Sequence, residues 1–163
     1  VNPLDLNLVC KLPPGVVIVP FMREHLNNFV LNQPDLKGHD ESELRHRITT
    51  QAEGGQAITV IQRGKTLGIF GSSPIWTGLE EGWFLVDEAV RRYGLAMTKV
   101  AKKWIALKFQ KDSLNRLQIT VRCDDVRAYK WAICLGFSDD GVMRRFGPDG
   151  SDFFLMSITK DDF

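Results

Sequence analysis

Apolar and polar positions alternate in the chain with two distinct periods. Val16-Val17-Ile18-Val19 is a β-branched run bounded by Pro13-Pro14-Gly15 and Pro20, which predicts a strand. Phe21, Leu26, Phe29 and Val30 follow at helical spacing and predict a first helix over residues 21–31. Asp40 or Ser42 can cap a second helix running to about Thr50, because a short oxygen side chain satisfies the free N–H groups of a first turn. Its polar middle, residues 44–48, suits the surface. Gly54-Gly55 breaks the chain. Residues 57–62 alternate into a strand, Arg63-Gly64-Lys65 turns, and residues 66–72 return, which is a hairpin signal. A loop is expected over 73–81, around Pro74 and Gly78, and a strand of bulky residues over 82–87.

The strongest periodicity comes next. Met97, Ala101, Trp104 and Lys108 share one side of a helix starting near Gly94, with Lys99, Lys102 and Lys103 on the other. Residues 117–122 predict a strand. Asp124 or Asp125 caps a helix over 126–135, which Gly136 ends in the position suited to a left-handed residue. Residues 138–146 and 152–158 form a last hairpin around Gly147-Pro148-Asp149-Gly150. The order is β-α-α-β-β-β-α-β-α-β-β. The unit spanning 82–122 has the length of one crossover between parallel strands, and the hairpins add antiparallel ones. An α/β (α+β) fold is therefore expected, with a mixed, mainly antiparallel sheet and helices on both faces.

Composition narrows the function classes. The chain has 163 residues, 44% hydrophobic and 25% charged, as in an ordinary globular protein. Residues 1–163 are expected to form one domain, with 1–15 as an N-terminal extension. A net charge of +1 gives no one-signed field to attract nucleic acid or anionic membrane. No apolar run approaches the roughly 20 residues that cross a bilayer, and residues 1–12 lack the pattern of a secretory signal. Cys10, Cys123 and Cys134 have no metal-ligand spacing with each other or with His25, His39 and His46. No metal is expected, and a reducing, cytoplasmic compartment is. Cys123 and Cys134 read as small buried fillers, since neither has an evident charge partner to lower its pKa.

The candidate chemistry lies in Phe84-Leu85-Val86-Asp87-Glu88-Ala89-Val90-Arg91-Arg92-Tyr93-Gly94-Leu95-Ala96. A strand ends, a polar turn follows and a helix starts at glycine. A helix start presents about four unpartnered N–H groups and the positive end of a dipole, so a pyrophosphate fits there. Arg91 and Arg92 add charge. The same stretch is equally readable as a plain strand–turn–helix with a capping glycine.

Arg91-Arg92-Tyr93-Gly94-Leu95-Ala96 matches the Arg/Gln-x-x-Gly-x-Gly/Ala pattern of the GNAT (Gcn5-related N-acetyltransferase) superfamily. Phe84-Leu85-Val86 is similar to the apolar-x-Val that precedes it. Asp125-x-x-Ala128-x-x-Trp131-Ala132-x-x-x-Gly136-Phe137 resembles the family's later Asn-x-x-Ala-x-x-Leu-Tyr-x-x-x-Gly-Phe. The resemblance covers residues 16–159, with 83–137 the specific part. It implies a GNAT fold of six to seven strands, splayed between strands 4 and 5, with a bulge in strand 4. It implies acetyl-CoA as cosubstrate, its pantetheine arm along Leu85, Val86 and Asp87 and its pyrophosphate on the N–H groups of Arg92, Tyr93, Gly94, Leu95 and Ala96 beside Arg91.

The resemblance also assigns roles. Counting back from Arg91 lands on Glu80, beside Glu81, as the base that deprotonates the amine; the alternative for Glu80 is a solvated loop acid. The family's Tyr that protonates the thiolate is Ala132 here, a departure. Tyr129, one helical turn earlier, either replaces that acid or only packs. Trp76 could line the acceptor site or a partner surface, while Trp83 and Trp131 read as core.

The second half also resembles small acetyltransferase-like proteins of short-tailed phages, some of them internal virion proteins. It shares Trp83-Phe84-Leu85-Val86, the lysine-rich helix, and an end with Asp149-Gly150 and Ile158-Thr159-Lys160. This resemblance implies phage origin, a host-cytoplasm or virion location, and two alternatives. One is an N-acetyltransferase acting on an amine of a small molecule or protein, a host protein among them. The other is a catalytically degenerate virion-structural or host-interaction protein. A homodimer is compatible with either.

Overall fold

The computed structural model describes residues 2–111 and 113–162, and leaves the side chains of Val9, Asp35 and Arg91 outside the description. Its elements are α1 (Pro3–Val9), β1 (Val16–Pro20), α2 (Glu41–Gly54), β2 (Gln56–Gln62), β3 (Lys65–Trp76), β4 (Leu79–Val86), α3 (Gly94–Lys111), β5 (Arg116–Arg122), α4 (Val126–Leu135), β6 (Ser138–Met143) and β7 (Phe153–Thr159). The strands form one seven-stranded sheet in the order β1-β2-β3-β4-β5-β7-β6. Every pairing is antiparallel except β4 with β5, the two strands joined by the α3 crossover. The mixed sheet read from the crossover length is the one observed.

The sheet divides the core in two. On one face Leu6 of α1, Met97, Val100, Trp104 and Ile105 of α3, and Ala132 and Leu135 of α4 cover Ile18, Val60, Phe70, Leu117 and Ile119. On the other, Leu44 and Ile48 of α2 pack with Leu26 and Phe29 against Ile69 and Leu85. Full burial of each such side chain contributes about 1.5–3 kcal/mol. Because strand side chains alternate, consecutive residues of β4 serve different layers: Phe84 joins the first cluster, Trp83 and Leu85 the second.

Three local readings change. Residues 21–31 contain only a 3₁₀ turn, Arg23–Leu26, instead of a helix. Their carbonyls bond to side chains of other elements: Arg45 Nη1 and Nη2 donate to Leu26 O and Phe29 O at 2.6 and 2.9 Å, and Thr66 Oγ1 to His25 O at 3.1 Å. The expected loop over 73–81 is a tight hairpin, with β3 running to Trp76 and β4 starting at Leu79 around Gly78, whose φ is 83°. The N-terminal segment carries a helix absent from the sequence reading. Asn2 caps α1, Pro3 opens it, Leu6 is fully buried, and the Asn7 amide bonds both backbone groups of Ile18.

Candidate active site

The parallel pairing of β4 and β5 covers only Leu79–Glu81 against Arg116–Gln118. Beyond it β4 stays bonded to β3 as far as Val86, and β5 to β7 as far as Arg122. The two halves of the sheet therefore diverge. Trp131 of α4 meets Phe84 edge-on at 5.2 Å, and its indole N–H donates to Thr98 Oγ1 at 3.0 Å. A cavity of about 860 Å³ passes through the opening. One end reaches Gly94, Met97 and Ala132, and the other is bounded by Gln33, His39, Arg47 and Glu81. The splay implied by the resemblance is present. The implied bulge in strand 4 is not: its register with β3 is continuous from Glu80 to Val86, and the irregularity lies at residues 74–76 of β3.

Edge geometry decides which β4 residues can bond a ligand. Asp87 N–H donates to Leu67 O at 2.9 Å. Bonding direction alternates along an antiparallel strand, so Leu85 also turns its backbone groups to β3, while Phe84 and Val86 direct theirs into the gap. Of the three expected contact residues, only Val86 offers its backbone to the opening. Phe84, which the sequence reading did not assign, does so as well. The missing signal was the pairing register, which lies in β3. Gln33 marks the same edge: its carboxamide Nε2 donates to Phe84 O at 3.2 Å, and its Oε1 accepts from Val86 N–H at 3.3 Å.

Between β4 and α3 the chain forms a 3₁₀ helix, Glu88–Tyr93. The Asp87 carboxylate organises its start, accepting from Ala89 N–H at 2.8 Å and pairing with Lys65 at 3.1 Å. Tyr93 turns inward, its hydroxyl accepting from Gln62 Nε2 at 2.6 Å. Arg92 and Gly94 are exposed, Leu95 is 84% exposed and Ala96 is half-buried. The Arg91 side chain lies outside the described residues. A Cβ built on Gly94 meets no heavy atom of the described residues within 4 Å, and the glycine lines the cavity. The α-helical pattern begins here, directly after the 3₁₀ turn.

The two neighbouring acids separate. Glu80 points under α3, where Lys108 Nζ lies 2.9 Å from Oε1 and 2.7 Å from Oε2, and Ser72 Oγ donates to Oε2 at 2.5 Å. Lys108 is fully buried. Glu80 is thus neither a loop acid nor turned to the cavity, and the base assignment to it is corrected. Glu81, one residue on, lines the cavity beside Arg47 and Gln51. Burial raises its carboxyl above the ordinary carboxylate range, and the nearby Arg47 charge opposes that rise in part.

Tyr129 also moves off the site. Its ring packs on Phe154 at 4.8 Å and its hydroxyl donates to Asp139 at 3.4 Å, away from the opening; Ala132 is the residue that faces it. Trp76 is 67% exposed at the β3–β4 hairpin and does not line this cavity. Cys134 is exposed rather than a buried filler, and burial raises the thiols of Cys10 and Cys123.

No protein-family model matches the sequence, and no curated protein sequence does either. Solved structures do match. Ard1 from Thermoplasma volcanium is 18% identical with a TM-score of 0.74, over 89% of this chain and 97% of that one. Spermidine N-acetyltransferase from Vibrio cholerae, in complex with CoA and spermine, is 14% identical with a TM-score of 0.71, over 92% and 98%. Ribosomal-protein-S5-alanine acetyltransferase from Vibrio fischeri is 14% identical with a TM-score of 0.68, over 94% and 98%. With a sheet opened between β4 and β5 and a glycine-led helix at its mouth, this chain has the fold of the GNAT acetyltransferases.

Proposed function

We propose that this protein is an acetyl-CoA-dependent N-acetyltransferase acting on an amine of a small molecule or protein. The observation that carries the reading is the continuity of the opened β4 edge with the helix start at Gly94, along one cavity. The outward backbone groups of Phe84 and Val86 suit an extended amide chain. The first-turn amides from Gly94 onward, with Arg92 beside them, suit a pyrophosphate. A fold neighbour carries CoA and spermine together, which agrees with a thioester-plus-amine pairing here.

The bound thioester supplies the acetyl group, and the chain's own residues do the rest. An ammonium acceptor must lose a proton before it attacks. Glu81, held above the ordinary carboxylate range in the acceptor end of the cavity, takes that proton more effectively at neutral pH than a solvated Glu would. The outward Phe84 N–H is a donor available to a carbonyl oxygen that gains negative charge. No hydroxyl stands at Ala132, and Tyr129 is turned to Asp139, so the thiolate is protonated by water entering the opening.

Ala132 also favours a second reading: a phage protein that keeps the fold and coenzyme binding but acts in the virion or on a host protein without turnover. One experiment separates these. Titration of the purified protein with acetyl-CoA raises Tm under both readings, by the equivalent of about 2.7 kcal/mol at a hundredfold excess over Kd. Release of free thiol on adding amines occurs only under the first. A melting point unmoved by millimolar acetyl-CoA overturns both.

A further inference from the structure

Gln33 has no role in the chemistry above, yet it holds the most specific contact in the cavity. It precedes the 3₁₀ turn Pro34–Leu36, in the stretch that borders the acceptor end. From there its carboxamide crosses to β4 and bonds two of the groups that alternation leaves facing the gap, the Phe84 carbonyl and the Val86 N–H. A single primary amide thereby does at this edge what a neighbouring strand does elsewhere in the sheet. We propose that Gln33 is a built-in stand-in for the ligand's amide, a latch that an extended amide-bearing ligand displaces from β4.

The argument is one of exclusive occupancy. A backbone N–H has one hydrogen to donate, so Val86 bonds either Gln33 Oε1 or a ligand carbonyl. The Phe84 carbonyl has two lone pairs, and so Val86 is the contested group. At 3.3 and 3.2 Å the latch bonds are longer than the commonest N–H···O distance of about 2.9–3.0 Å. Until release, the latch keeps an edge N–H and an edge carbonyl paired, which matters because unpaired buried groups are costly. Release also frees the segment carrying Asn32, Gln33, Pro34 and Leu36, all of which line the acceptor end. Coenzyme entry and acceptor-loop position are thereby coupled through one side chain.

This inference rests on the coenzyme reading for the identity of the ligand, though the latch itself does not. The test uses the full chain, Gln33→Met, which keeps length and loses both bonds, and Gln33→Ala. Amide hydrogen exchange at Val86 is measured without ligand, and CoA affinity by calorimetry, with thermal melting to establish that each variant is folded. The expected results are faster Val86 exchange in both variants and CoA binding tighter by roughly three- to tenfold, the scale of a hydrogen bond no longer broken on binding. Unchanged Val86 protection overturns the latch whether or not CoA binds. Faster exchange with unchanged or weaker CoA binding overturns the competition. Failure of wild type and both variants alike to bind millimolar CoA overturns the coenzyme reading and the competition with it, while the exchange result still decides the latch.

Discussion

Lys108, in the last turn of α3, reaches Glu80 on β4 at 2.7 Å and is completely buried there. The lysine end of the pair is shielded from water, and Ser72 is bonded to the same carboxylate. Removing one member strands the other's charge, which in a protein interior costs about 3–5 kcal/mol. Lys108→Met and Glu80→Gln are therefore expected to lower stability by about 3 kcal/mol or more, read from denaturant unfolding. In conditions where Glu80→Gln is folded, its turnover stays near wild type, because Glu80 faces away from the cavity.

Glu81 behaves in the opposite way. Glu81→Gln is expected to lower kcat/KM by about 10²–10⁴, the usual contribution of a positioned base, and to remove the ionisation from the rising limb of the pH–rate profile. The stability effect has a definite sign. Burial raises the folded-state pKa above the ordinary 4.5, so between that value and the raised one the native state binds more protons than the unfolded state. Stability contributed by the protonated carboxyl is present below 4.5 and is lost as pH rises through the folded value. Glu81→Gln thus melts higher than wild type at neutral pH, and this gain disappears at low pH. A gain that persists at low pH contradicts the assignment.

Gly94 separates stability from binding. A Cβ there meets no heavy atom of the described residues within 4 Å, and alanine suits helices better than glycine by up to about 1 kcal/mol. Gly94→Ala is expected to melt at or above the wild-type temperature while binding acetyl-CoA more weakly. Gly94→Trp is expected to fold and to lose binding altogether, as measured by calorimetry. Binding that survives tryptophan there places the ligand elsewhere.

Tyr129→Phe removes a hydroxyl whose contact to Asp139 is 3.4 Å long and exposed. It is expected to change stability by less than about 1 kcal/mol and turnover by less than twofold. A large loss of kcat, with KM unchanged, returns Tyr129 to the chemistry and requires α4 to turn during the reaction.

Several features were legible because their causes are local. Asp125 caps α4 through Ala128 N–H, and Gly136 ends it at a φ of 108°, as the residue types demand. The stripe of Met97, Ala101 and Trp104 is the buried face of α3. Residues 21–31 misled because their apolar spacing mimics a helix, while Arg45 and Thr66, far along the chain, hold their carbonyls instead. Nothing local marks Gln33 either, since its partners are more than fifty positions away.

The sequence by itself determined the types of most elements, the parallel crossover that α3 must make, and the glycine-led helix after β4, for these follow from side-chain period, capping chemistry and connection length. Only the tertiary structure decided which of Glu80 and Glu81 enters the cavity, and which of residues 84–87 face the gap. A strand has a period of two, so a shift of one residue exchanges its faces and its bonding edges. The pairing of β4 with β3, Gly68 opposite Val86 and Pro74 opposite Glu80, sets that phase from outside the motif.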